Sequence, residues 1–376
     1  MSVLMGISKA GLKPSGREDL LVVYFEKPLP VSAVYTKNYF KAAPVIYSQN
    51  LTERRKEFRA FVVNSGNANC GTGEEGLRHA ELMAERVAKN LDLKREEVLV
   101  FSTGIIGVPL PIDRVLEAID TACGNLEPLD LKRASEAIST TDRFPKYARE
   151  KYAFGFGKGA GMIHPNMATM LAYVFTPAKL DYEELRKIHL EVNEKTFNSI
   201  TVDGCTSTND SFLLISLNEE EIPASRVKED VFKVSQKIAK LIVADGEGAT
   251  KVGIVRVINA LHREKAKAIA EKVAVSELVK TALFGCDPNW GRIAAAAGSV
   301  PDYPINPNSL SIYIGEYKLL ERGTPTDVDL EEVAGYMREH KEVLITVDLG
   351  EGNADWTYYT SDLTYDYVKL NAEYTT

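Results

Sequence analysis

Short apolar runs alternate with helical stripes along most of the chain. The runs at residues 19–26 (DLLVVYFE), 31–36, 58–63 (FRAFVV) and 97–101 (EVLVF) are rich in β-branched and aromatic residues, so each reads as a strand. Pro28 and Pro30 are expected to separate the first two. Leu77, Ala80, Ala84, Val87 and Leu91 share one helical stripe, which predicts a helix over 77–91. Helices follow at 111–122 and 131–138. In the second half, MLAYVFT from Met170 and SFLLISL from Ser211 read as buried strands, with helices at 182–196 and 227–243. A strand at 253–260, a long helix at 262–284, and strands at 309–314 and 343–349 on either side of a helix at 330–339 complete the pattern. Asp287 is expected to cap a helix opened by Pro288. The polar, aromatic C-terminal segment is expected to dock against the body. No internal repeat is evident, and the alternation implies a mixed α/β (α+β) fold.

One stretch departs from this pattern. In GFGKGAGMIHPNMATML, Gly155, Gly157, Gly159 and Gly161 free the backbone for close approaches, while Pro165 argues against helix. A glycine-rich loop of unusual shape is therefore expected, with a strand starting at Thr169. Breaking the bond between Ala168 and Thr169 would give Thr169 a free α-amine beside its own hydroxyl. Such an amine has a pKa of about 7.7–8.0 and serves as general base for the hydroxyl. Ala168 is small and leaves the scissile carbonyl open to attack. The alternative is a plain glycine loop ahead of a core strand.

Other polar groups gather where strands end. Ser102-Thr103-Gly104 follows the 97–101 strand, where a hydroxyl and an outward backbone N–H supply the two donors of an oxyanion hole. NSGNANCGTG at 64–73 reads first as turn chemistry. DGCTSTND at 203–210 either meets a substrate carboxylate or caps and turns. Glu247, between two glycines in DGEGATK, either meets a cationic group or faces water. His189 reads as a packed or half-exposed helix residue rather than a ligand.

Composition narrows the classes. With 376 residues the chain is long enough for two domains or two intimately packed halves. Its net charge of −8 provides no basic footprint for nucleic acid. No window approaches the roughly 18 apolar residues of a membrane span, and the N-terminal residues lack a secretory pattern, so a cytoplasmic protein is expected. Cys70, Cys123, Cys205 and Cys286 form no CxxC pair and are expected to be free buried thiols. The five histidines show no metal-ligand spacing, so no metal site is expected.

KGAGMIHPNMATML, at 158–171, resembles the cleavage-site signature of the ornithine acetyltransferase family, the bifunctional glutamate N-acetyltransferases of arginine biosynthesis. NSGNANCGTG, STGIIG, STTDRFPK, DGCTSTND, DGEGATK, GCDPNWGR and the terminal NAEYTT are similar to that family's motifs and stand in its order, from about residue 5 to 376. The resemblance implies an N-terminal-nucleophile type of fold, related to the self-processing aminopeptidases. It implies a proenzyme cut between Ala168 and Thr169 into an α fragment (1–168) and a β fragment (169–376), assembled as an α2β2 heterotetramer. Thr169 would be the nucleophile that carries acetyl from N2-acetyl-L-ornithine to L-glutamate by ping-pong turnover, with Thr103 and Gly104 as the oxyanion pair. Thr140, Lys158, Thr169, Glu247, Asn371 and Thr376 would hold substrate, with Thr141 an alternative to Thr140. No cofactor is implied; use of acetyl-CoA as a second donor stays open. Two other readings remain: an aminopeptidase or amidohydrolase with the same nucleophile, and an uncleaved binding module.

Overall fold

A computed structural model describes residues 3–164 and 170–373. These divide into two compact units, one of residues 3–198 and 206–242, the other of 199–205 and 243–373. This division differs from the two fragments that cleavage would produce.

The first unit is built on a nine-stranded sheet. Its main path runs Val98–Ile105, Glu57–Asn67, Leu20–Tyr35, Ser211–Glu220, Leu171–Ala178, Phe154–Lys158, Lys146–Arg149. Leu20–Tyr35 is one strand rather than the expected two. Its first part pairs with Val3–Ser8 and Glu57–Asn67, its last part with Ser211–Glu220. The prolines do not end it because the register shifts between Tyr24 and Leu29, where Glu26–Pro28 leave the ladder and are exposed. One face of this sheet carries an aromatic cluster in which Phe61 stacks on Tyr173 at 4.5 Å and Phe101 and Phe156 pack at 5.6 and 5.2 Å from the same ring.

The glycine stretch begins as sheet, not loop. Phe154–Lys158 pairs antiparallel with both Lys146–Arg149 and Leu171–Ala178. Gly155 and Gly157 permit that closeness: a Cβ would stand 2.6 Å from the Tyr173 carbonyl oxygen and 2.8 Å from that of Leu171. The strand beyond the loop starts at Leu171; Thr169, expected to open it, lies outside the described residues. Leu171–Ala178 is central and fully parallel to Ser211–Glu220 over Leu171 to Thr176, which explains its unbroken apolar run.

The second unit has a seven-stranded sheet ordered Thr324–Pro325, Tyr317–Glu321, Ser311–Ile314, Glu342–Asp348, Val252–Ala260, Ala354–Ser361, Ile200–Thr201. The expected 262–284 helix is two helices, Arg263–Ala274 and Glu277–Gly285. Ser276 breaks it by capping the second, its hydroxyl accepting from the Val279 N–H. Asn289, not Asp287, caps Trp290–Gly298, accepting from the Arg292 N–H at 3.1 Å. The Asp287 carboxylate accepts instead from the Asn289 amide. The C-terminal segment docks through the strand Ala354–Ser361, whereas the helix Tyr365–Glu373 after it buries no residue. Among the described residues no helix is long and apolar enough to cross a membrane.

Candidate functional site

Three sequence-predicted residues of the first unit meet. Lys158, the last residue of its strand, is paired in register with Leu171 and is 5% exposed. Its Nζ donates to Thr103 Oγ1 at 3.1 Å and to Thr140 Oγ1 at 2.9 Å. Thr140 is positioned by the helix Leu131–Ile138, whose Ser135 hydroxyl donates to the Gly157 carbonyl and accepts from the Lys146 N–H, tying helix to both strands. Thr141, its neighbour, is exposed.

Asp142, which sequence reasoning did not single out, organises this group. Its carboxylate accepts from Lys146 Nζ at 2.6 Å, from the Gly159 N–H at 2.7 Å and from the Thr140 N–H at 3.0 Å, and lies 4.0 Å from Lys158 Nζ. Burial would raise this carboxyl's pKa, but the two ammoniums and the Gly159 N–H outweigh it and hold the group well below the usual carboxylate range. Asp142 and Lys146 are both buried, a four-residue spacing of opposite charges that reads from sequence as an ordinary surface pair.

This arrangement has a chemical consequence. A lysine that donates to a threonine oxygen leaves the hydroxyl's own proton free to be donated onward. Thr103 is thus a donor polarised by a buried cation, suited to stabilising negative charge. Gly104, beside it, sits within the strand Val98–Ile105, not in the expected turn after a strand at 97–101. Its φ of +135° accompanies a register irregularity opposite Gly66 and Asn67, and a Cβ would lie 2.3 Å from the Gly66 carbonyl carbon. Gly104→Ala is accordingly expected to cost about 1–3 kcal/mol of stability through backbone strain. Urea unfolding that superimposes on wild type would contradict this.

Glu247 and Asn371 meet in the second unit, where Asn371 Nδ2 donates to Glu247 Oε2 at 3.0 Å. The turn bearing Glu247 is fixed by the Thr364 hydroxyl, which donates to the Gly248 carbonyl at 2.8 Å. The predicted Ala168, Thr169 and Thr376 lie outside the described residues.

Asp210, read from sequence only within its loop, is 2% exposed. Neither of its oxygens makes a hydrogen bond of ordinary geometry. Burial, opposed by the nearby Met170 N–H, the Thr36 hydroxyl and the Lys158 charge, holds this carboxyl well above its usual range. His189 is packed rather than half-exposed, fully buried with Nδ1 2.8 Å from Ser32 Oγ and its ring against Phe212. Burial pushes its pKa well below the ordinary value, which keeps it neutral. Of the cysteines expected to be buried only Cys70 is; Cys123 and Cys286 are half-buried, and Cys205 is exposed because it falls in the irregular segment after Ile200–Thr201 rather than in an element.

The fold and these residues define a mixed α/β protein with a buried lysine–hydroxyl centre at the head of a central strand. The chain belongs to the ArgJ family, whose model matches residues 4–376. It is 61% identical to the arginine biosynthesis bifunctional protein ArgJ of Aquifex aeolicus (strain VF5), over 100% of this chain and 99% of that one. The protein of the same name from Thermus thermophilus is 44% identical, over 99% and 97%. A crystal structure of arginine biosynthesis bifunctional protein ArgJ from Bacillus halodurans is 37% identical with a TM-score of 0.53, covering 55% of this chain and all of that one.

Proposed function

We propose that this chain is a proenzyme of arginine biosynthesis that cuts itself between Ala168 and Thr169 and then transfers acetyl from N2-acetyl-L-ornithine to L-glutamate. The observation that carries this reading is a family match spanning residues 4–376, together with the Lys158–Thr103–Thr140 cluster in register with the strand two residues beyond position 169.

The Thr169 hydroxyl attacks the acetyl carbonyl and its α-amine takes up the proton. Thr103 and the Gly104 N–H stabilise the oxyanion, and collapse of the tetrahedral adduct releases ornithine. Glutamate's amine then attacks the acetyl ester and regenerates Thr169. The donor product and the acceptor share an α-amino acid end, so one set of anchors serves both. Lys158 and Thr140 suit the carboxylate, Glu247 the ornithine ammonium, while Asn371 and Thr376 add neutral hydrogen bonds. The chemistry calls for no metal or organic cofactor. The word bifunctional in the relatives' names agrees with acetyl-CoA as a second donor to glutamate. The α and β fragments stay together, in an α2β2 assembly acting in the cytoplasm.

Denaturing electrophoresis of active protein should show two bands of about 18 and 23 kDa, in proportion to the fragment lengths within 41.5 kDa. Incubation with N2-acetylornithine alone should add one acetyl group to the peptide that begins at Thr169. Hydrolysis outpacing transfer when glutamate is present would make the protein an amidohydrolase instead.

A further inference from the structure

An open cleft of about 780 Å³ lies in the first unit, between the end of the strand Leu20–Tyr35 and the helices Ala43–Arg54 and Tyr182–Lys195. Lys37, Lys41, Lys56 and Arg186 line it, against two carboxylates, Glu53 and Glu194. That excess of positive charge stands out on a chain of net charge −8.

The cations face neutral partners. Lys41 Nζ donates to Gln49 Oε1 at 2.9 Å, Lys56 Nζ to the Thr52 carbonyl at 3.0 Å, and Arg186 Nη1 to the Ala33 carbonyl at 2.6 Å. Among the described residues none of the four is joined to a carboxylate. Glu53 accepts from the Gln49 amide and Glu194 from the Asn198 amide. Cations left without counter-charge around a concave surface recognise phosphate oxygens. The cleft also carries flat rings: Lys56 stands 4.6 Å over Tyr182, and Tyr39 is fully exposed at the rim. An aromatic ring beside uncompensated cations, in a volume within the usual range for small-molecule sites, fits a base joined to phosphates.

We propose that this cleft binds an adenine nucleotide through its diphosphate, the chemistry shared by free ADP and the nucleotide end of coenzyme A. Of the two, coenzyme A in its acetylated form would also supply the acetyl group that the proposed reaction moves. That donor role rests on the acetyl-transfer reading above; the nucleotide site itself does not.

The test is calorimetric titration of ADP, and separately of coenzyme A, into the purified full protein and into Lys37→Glu/Lys56→Glu. Both positions are exposed and lie outside the proposed catalytic group, so thermal unfolding and N2-acetylornithine-to-glutamate transfer should match wild type. Wild type should bind both ligands, more weakly at higher salt, and the variant should lose about tenfold or more in affinity for each. If coenzyme A is the occupant, it binds tighter than ADP, and the KM for acetyl-CoA rises in the variant while that for N2-acetylornithine does not. Nucleotide binding lost in the variant, with no acetylation of glutamate from acetyl-CoA by wild type, would leave the site standing and end the donor role. Absence of heat with both ligands in wild type, or equal affinities in wild type and variant, overturns the proposal.

Discussion

Thr169→Ala is expected to yield a single 41.5 kDa polypeptide and to lower acetyl transfer by about 10⁴-fold or more, the scale of losing a catalytic nucleophile. Both losses share one cause. In the proposed mechanism the residue's hydroxyl attacks the Ala168 carbonyl before cleavage, and afterwards the same oxygen carries the acetyl group, with the liberated amine as its base. Alanine removes the oxygen from both steps. Thr169→Ser keeps hydroxyl and future amine, so it should still give two fragments, more slowly. Gel electrophoresis with N-terminal sequencing of both fragments reads the first step, and ornithine release reads the second. Two bands from Thr169→Ala, or wild-type turnover without cleavage, would refute the mechanism.

Asp142→Asn should destabilise the protein by about 3–5 kcal/mol, the cost of leaving a buried cation without its partner. Lys146 is fully buried and its Nζ lies 2.6 Å from Asp142, with the Phe144 carbonyl as a further, neutral acceptor. Asparagine also keeps only one of the two oxygens that accept from the Gly159 and Thr140 N–H groups and turns an N–H2 donor toward the other, so Lys158 loses its alignment and transfer falls with stability. The pH dependence has a definite sign. The native Asp142 carboxyl lies well below the usual range, so it is ionised when folded at pH values where the unfolded chain, with a pKa of about 3.9, binds a proton. Its contribution is therefore complete above the unfolded pKa and disappears as pH falls from there toward the native value. The stability gap between wild type and Asp142→Asn should be constant from neutral pH down to about 5, then close in more acid solution. Urea titrations at several pH values measure it. A gap that widens toward acid would exclude a charged Asp142. Asp142→Asn/Lys146→Met, which removes both charges, should recover stability but not transfer.

Much of the architecture was legible because local physics expresses it. Helices 131–138 and 330–339 fall where their apolar stripes predict, since burial on one face leaves a period that a single sequence records, and the strands FRAFVV and SFLLISL show as short apolar runs because almost every position in them is buried. The errors occur where a partner distant in sequence decides. Leu20–Tyr35 continues past two prolines because different neighbours take over its two halves, and Phe154–Lys158 is sheet because its glycines admit the carbonyls of the adjacent strand.

The sequence by itself determined the family, the order of the motifs and the residue types available for chemistry, including the hydroxyl and prospective amine of Thr169. Tertiary structure alone decided which of these meet. Lys158 reaches Thr103 and Thr140 across separations of 55 and 18 residues, and the carboxylate that aligns them, Asp142, looks from sequence like one more polar residue after a helix. The reason is the strength of electrostatics under burial. A charge in water costs little and says little, whereas one withdrawn from water must be answered by groups brought from elsewhere in the chain.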